Sequence, residues 1–183
     1  MKKKNLYKLC ESAILIALSL ALMPIEIPGP AFGGDIDLVM IPLFILAFRN
    51  GPVYGIASGA VFGFLKCLIG GGIGWGLPSV LLDYVLAYAA VGVAGLFKGK
   101  YWAIELSTLT GCLVRFFVHF ISGITLYAIT VPTEVEYIGK TFANPITYSI
   151  VYNLLYMLPN TIIAVVAMSL LRYPIKRLEK VNR

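Results

Sequence analysis

The stretch Leu81–Phe97, LLDYVLAYAAVGVAGLF, is apolar almost throughout yet carries one carboxylate, Asp83. At about 1.5 Å per residue, a helix of this length crosses most of a bilayer. A charge at membrane depth costs about 2.5–3.5 kcal/mol even on the lenient insertion scale, so it marks a ligand, ion or proton site. Tyr84 and Tyr88 follow it, one helical turn apart. The segment restricts the chain to folds in which other helices shield Asp83, a membrane-embedded cup around the acid and its aromatic neighbours.

The remaining composition agrees. Of 183 residues, 59% are hydrophobic and 13% charged, about half the charged fraction of a soluble domain. We therefore expect an all-α integral membrane protein forming one domain, residues 1–183. Cys10, Cys67 and Cys112 have no CxxC spacing and read as small buried residues. The start, MKKKNLYKLCESAILIALSLALMP, has the basic and apolar regions of a signal peptide but no small-x-small site before Pro24. It is read as a retained first helix.

Hydropathy and turn signals predict six spans: about Tyr7–Met23, Ile36–Phe48, Val53–Leu68, Ser79–Phe97, Trp102–Ile129 and Ile146–Leu171. Between them lie the Pro/Gly-rich stretch Pro24–Gly34, the glycine run Gly70–Gly76 and the polar loop Thr130–Pro145, while a basic tail Arg172–Arg183 ends the chain. The first and second of these segments suit mobile outer loops. With six spans both termini share a side, which holds Lys2, Lys3, Lys4, Lys8, Arg49, Lys98, Lys100 and the basic tail. The positive-inside rule places that side in the cytoplasm, so the net charge of +6 reflects topology and calls for no nucleic acid. The opposite loops carry Glu26, Asp35, Asp37, Glu134 and Glu136. An acidic mouth modestly favours a cationic solute; ordinary solvated loop acids are the plainer reading.

Within the spans, Ala13, Ala17 and Ala21 form a stripe at four-residue spacing, where another helix can approach closely. It fits packing inside the bundle or an external partner. Arg115 and His119 are four apart and share a helical face, continued by Ser122, Gly123 and Tyr127. His119 is the only histidine, without a second histidine or cysteine at ligand spacing, so no metal site is expected. Arg115 is expected to pair with Asp83 or Glu105 or to bond helix-end carbonyls, with ligand binding as the alternative. Tyr148, Tyr152 and Tyr156 make a ridge, with Tyr156 read as an interfacial belt residue. Asn153 is an amide at membrane depth, about 140° round an ideal helix from Tyr148.

No Walker-type GxxxxGK[ST], HExxH or nucleophile motif is present, which argues against an enzyme or a built-in ATPase. No cofactor is implied. By itself the chain reads as a solute-binding membrane subunit that draws its energy from elsewhere. A proton-coupled carrier or channel using Asp83, Arg115 and His119 as a relay is the rival from another class.

The length, the six spans, the alanine stripe, DLVMIPLFILAFRNGP (Asp37–Pro52), LLDYVLAYAAVGVAGLF, RFFVHFISGITLY (Arg115–Tyr127) and YSIVYN (Tyr148–Asn153) together resemble one family. It is the substrate-binding S component of energy-coupling factor (ECF) transporters, most closely the thiamine-specific ThiT/YuaJ-like group. The resemblance implies that Asp83 stands at the acidic ligand-binding position, with Tyr84 beside it. It also implies that His119, Tyr148 and Asn153 match the family's binding histidine, tyrosine and asparagine. Ala13, Ala17 and Ala21 match the contact with the transmembrane T component, which bridges to two ATPase subunits. The family typically has glutamate at Asp83 and a tryptophan near Tyr127, and its first outer loop has a tryptophan where this chain has only Phe32. Trp75 is the candidate for aromatic cover. An S component for another vitamin or a thiamine precursor is the alternative within the class.

Overall fold

The apolar segments fold as helices because a bilayer offers no partner to a bare N–H or C=O. In a computed structural model describing residues 3–28, 34–130, 135–137, 140–142 and 144–181, the order is α1 (Lys3–Leu22), β1 (Glu26–Pro28), β2 (Asp35–Asp37), α2 (Met40–Asn50), α3 (Pro52–Ile69), α4 (Leu77–Phe97), α5 (Ile104–Thr130), β3 (Val135–Tyr137), β4 (Lys140–Phe142) and α6 (Pro145–Val181). Short 3₁₀ turns, Gly72–Trp75 and Tyr101–Ala103, lead into α4 and α5.

Five of the helices are long and apolar enough to cross a membrane by length and composition; α2 is shorter. Its 11 residues span only about 16 Å, against about 30 Å of hydrocarbon. The predicted second span, Ile36–Phe48, divides into β2 and α2. Its hydrophobicity serves the protein interior, because Met40, Leu43, Phe44, Leu46, Ala47 and Phe48 are all buried. A helix apolar on every side fits either a core or a lipid setting, and hydropathy alone does not separate them. Gly51 ends α2 at φ 95°, its N–H donating to the Ala47 carbonyl, and Pro52 opens α3.

Glycines decide how α3 meets α4. A Cβ at Gly59 or Gly63 would run into the backbone carbonyl of Tyr88 or Tyr84, so the two helices touch backbone to backbone. At this contact α4 departs from α-geometry: Val80–Leu86 is a π-helical segment that carries both Asp83 and Tyr84. Such wide turns are rare and frequent at functional sites.

At the end of the bundle near the N-terminus, Glu11 of α1 accepts from Arg49 Nε at 2.5 Å and from Asn50 Nδ2 at 2.9 Å, fastening α1 to the foot of α2. On α1, Ser12 and Ser19 are buried while Ala13, Ala17 and Ala21 are exposed. Cys10 is exposed too, contrary to its reading as buried, whereas Cys67 and Cys112 are buried. The expected basic tail does not leave the bundle, since α6 continues to Val181. Arg172 bonds Glu105, Ile175 is buried, and Lys176 lies over the Tyr101 ring.

At the other end lie two two-stranded antiparallel ribbons, one joining Pro24–Gly34 to the start of the predicted second span and one within Thr130–Pro145. The first pairs Glu26 with Asp37, Ile27 with Ile36 and Pro28 with Asp35. The second pairs Val135 with Phe142 and Tyr137 with Lys140. Glu134 lies outside the described residues, as does Phe32.

Candidate functional site

The π-segment aims Asp83 at α5. Its Oδ1 lies 3.1 Å from His119 Nδ1, and its Oδ2 accepts from the Ser79 hydroxyl at 2.9 Å. An ionised carboxylate only accepts, so Nδ1 of His119 is the donor, and in the neutral imidazole Nε2 keeps a free lone pair. His119 itself is buried.

Three buried polar atoms have no hydrogen-bond partner among the described residues and share one face of α5: Arg115 Nε, His119 Nε2 and Ser122 Oγ. Their spacing, i, i+4 and i+7, is that of a single helical stripe. An unsatisfied buried polar group costs about 1–3 kcal/mol. Three in a row on one helix, with His119 against a carboxylate, mark a surface prepared for a polar solute rather than for lipid.

Opposite this stripe, α6 supplies Asn153 and Tyr156. Asn144 caps the helix by accepting the Ile146 N–H at 2.8 Å, and Pro145 needs no N–H at its first position. Asn153 donates to the Ser149 carbonyl at 2.8 Å and reaches the His119 carbonyl at 3.4 Å. Its Oδ1 accepts from the Tyr156 hydroxyl at 2.8 Å. Tyr156 meets the His119 ring edge-on with centroids 6.0 Å apart. Tyr156 is therefore a buried wall of the site and not the interfacial belt residue expected from sequence; its position one turn below Tyr152 on the ridge turns it inward. Tyr152 stacks on Tyr148 at 5.7 Å, and Tyr148 meets Phe142 of the second ribbon edge-on.

The structure thus gathers Asp83, His119 and Asn153 into one connected cluster. Tyr84 follows Asp83, half-buried, its ring packed against Gly72 of the glycine-rich turn. Trp75 is not drawn in: it stays exposed on the 3₁₀ turn. Tyr127 has its backbone in α5, but its side chain lies outside the described residues.

Arg115 departs from expectation. It pairs with neither Asp83 nor Glu105. Its guanidinium sits over the Tyr88 ring, 4.4 Å from the centroid, and Nη1 donates to the Met40 thioether at 2.6 Å. Glu105 is taken by Ser169 and Arg172 of α6. Arg115 is one turn removed from His119 along α5, which turns it toward α2 and Tyr88 and leaves Asp83 to the histidine.

A second charged cluster was not anticipated. Lys66 Nζ donates to Asp37 Oδ2 at 2.8 Å and lies 5.5 Å from the Tyr88 centroid. The Asp37 N–H donates to Asn160 Oδ1 at 2.9 Å, Asn160 Nδ2 donates to the Asp35 carbonyl at 2.7 Å, and Asp37 Oδ1 accepts the Val39 N–H at 3.3 Å. Asp37, taken from sequence as a solvated loop acid, is buried and ties the first ribbon to α3 and α6. The available signal was Lys66, a lysine inside an apolar span, which requires a nearby carboxylate.

Apolar helices closed around a half-buried carboxylate paired with a buried imidazole, with open polar valences on one helix face, define a multi-pass membrane protein with an internal polar site. The model of the family described as thiamine transporter protein (Thia_YuaJ) matches residues 9–180. The thiamine transporter ThiT of Bacillus subtilis (strain 168) is 30% identical over 201 aligned residues, covering 100% of this chain and 98% of that protein. ThiT of Lacticaseibacillus paracasei is 28% identical over 145 residues, covering 70% of this chain and 72% of that one. The solved structure of ThiT from Listeria monocytogenes superposes with a TM-score of 0.77 at 22% identity, covering 96% and 98% of the two chains, and shows the same fold. The chain belongs to the thiamine transporter protein (Thia_YuaJ) family, and it is a transporter rather than an enzyme.

Proposed function

We propose that this chain is the thiamine-binding S component of an ECF-type vitamin transporter in the bacterial plasma membrane. In this reading it takes thiamine from outside with high affinity, in the cup lined by Asp83, Tyr84, His119, Tyr127, Tyr148 and Asn153, with Trp75 as cover from the glycine-rich turn. The observation that carries the reading is Asp83, a half-buried carboxylate within an apolar helix, held by His119 and Ser79 beside the unpartnered His119 Nε2. Thiamine has a permanently cationic, flat thiazolium and a hydrogen-bonding aminopyrimidine. Asp83 offsets the charge, and aromatic faces contribute about 0.5–2 kcal/mol each through cation–π contact. The Nε2 lone pair of His119 accepts from an amino group.

In this reading both termini lie on the cytoplasmic side, which the positive-inside rule supports through Lys8, Arg49, Lys98, Lys100, Lys176 and Arg177. Ala13, Ala17 and Ala21, exposed on α1, are the surface for the T component, through which two ATPase subunits drive release inward. A relay of Asp83, Arg115 and His119 in a proton-coupled carrier is less favoured, because Arg115 is engaged with Tyr88 and Met40.

The test is a calorimetric titration of wild type and Asp83→Asn with thiamine, its phosphates and precursors, and riboflavin. Losing a buried charge partner costs about 2–5 kcal/mol, or about 30-fold or more in affinity. Thiamine affinity unchanged in Asp83→Asn would remove Asp83 from the site. A response to another vitamin alone would keep the class and change the substrate.

A further inference from the structure

We infer that Ser79 is a positioning residue that fixes the carboxylate of Asp83 toward the ligand, an inference that rests on the reading of Asp83 as the partner of a cationic solute. Ser79 lies in the first turn of α4, where a serine ordinarily turns its hydroxyl back onto the helix backbone. Here that hydroxyl goes to Asp83 Oδ2 at 2.9 Å instead, and the residue is only 5% exposed. The second carboxylate oxygen is held by His119 from another helix at 3.1 Å.

One donor on each oxygen, from α4 and from α5, fixes the rotation of the carboxylate about its last torsion, a torsion that is otherwise broad. An ionised carboxylate has about four acceptor positions, so room for a ligand donor remains after Ser79, His119 and the neighbouring Ser122 hydroxyl are counted. The Asp83 side chain keeps 24% of its surface exposed, and this is the part a ligand can reach. Ser79 is itself too buried to share in that exposed surface, so its influence passes through Asp83. The π-helical segment begins directly after Ser79. Without the serine bond, the short aspartate arm on the wider turn loses the donor on Oδ2, and its rotation is less fixed.

The experiment is a double-mutant cycle of thiamine titrations on the detergent-purified chain: wild type, Ser79→Ala, Ser79→Thr, Asp83→Asn and Ser79→Ala/Asp83→Asn, extended to millimolar ligand for the weak variants. A positioning role predicts that Ser79→Ala weakens thiamine binding about ten-fold and that Ser79→Thr, which keeps the hydroxyl, restores most of it. It further predicts that Ser79→Ala changes affinity by less than about two-fold once Asp83 is an asparagine. Where Ser79→Ala does not fold, Ser79→Cys, of similar size with only a weak donor, takes its place in the cycle. Equal losses in both backgrounds, or no loss in the wild-type background, would overturn the inference and leave Asp83 as the binding acid. Asp83→Asn with full affinity would instead overturn the site reading, and the inference with it.

Discussion

Replacing Lys66 by methionine tests the charged cluster that ties the first ribbon to the bundle. Lys66 and Asp37 are 2.8 Å apart, and their side chains are 12% and 3% exposed. Methionine keeps the length and apolar stem of lysine but removes the ammonium. Asp37 would then keep the Val39 N–H at 3.3 Å as its remaining side-chain donor among the described residues. Stranding one member of a buried ion pair costs about 3–5 kcal/mol, whereas removing both charges together is often close to neutral. At roughly 2–4 °C per kcal/mol for a chain of this size, Lys66→Met should lower the thermal midpoint by about 6–20 °C. Lys66→Met/Asp37→Asn should recover most of that. Tryptophan fluorescence during thermal unfolding in detergent reads the midpoints. A Lys66→Met midpoint within about 4 °C of wild type, or a double variant as poor as the sum of its singles, would refute the reasoning.

Two further substitutions probe the packing and the ribbon. In Gly63→Ala the new methyl meets the Tyr84 carbonyl, backbone that cannot rotate aside; overpacking of about 1–3 kcal/mol should lower the midpoint by about 2–12 °C and weaken thiamine binding, because Asp83 and Tyr84 share that segment. An unchanged midpoint would deny the close α3–α4 contact. Glu26 has its carboxyl pushed above the ordinary glutamate value by partial burial, then by Asp35 and Asp37, with Lys66 pulling the other way. A raised folded pKa favours the protonated form, so the stability it contributes is present at low pH and lost as pH rises through the folded value. Glu26→Gln should therefore raise the midpoint at pH 7, with the difference shrinking toward pH 4; a difference that grows on acidification would contradict the assignment.

The polar residues of the candidate site could be picked out from composition and spacing; their binding roles came from the family resemblance. Asp83, His119 and Asn153 stood out because polar groups are costly at membrane depth, and the structure joins all three. The alanine stripe was visible as a period of four, but only the packed bundle shows that its alanines are exposed while the neighbouring serines are buried. The partners of Arg115 and Asp37 were misread for one reason. Periodicity gives the face of a residue within its own helix, whereas pairing depends on the rotation and depth of the neighbouring helix. Lys66 and Asp37, 29 positions apart, become partners only when α3 and the first ribbon meet.

The sequence by itself determined that this chain builds apolar helices, where most of them start and stop, and which few polar residues they carry inside. It could do so because a bilayer imposes one rule on every backbone group and one penalty on every charge. The tertiary structure decided the rest. It made α2 a short buried core helix, opened a π-turn under Asp83, brought α3 onto α4 across Gly59 and Gly63, and distributed the acids among their cations and donors. Those outcomes turn on contacts of a few ångströms between segments distant in the chain, which hydropathy and local spacing do not encode.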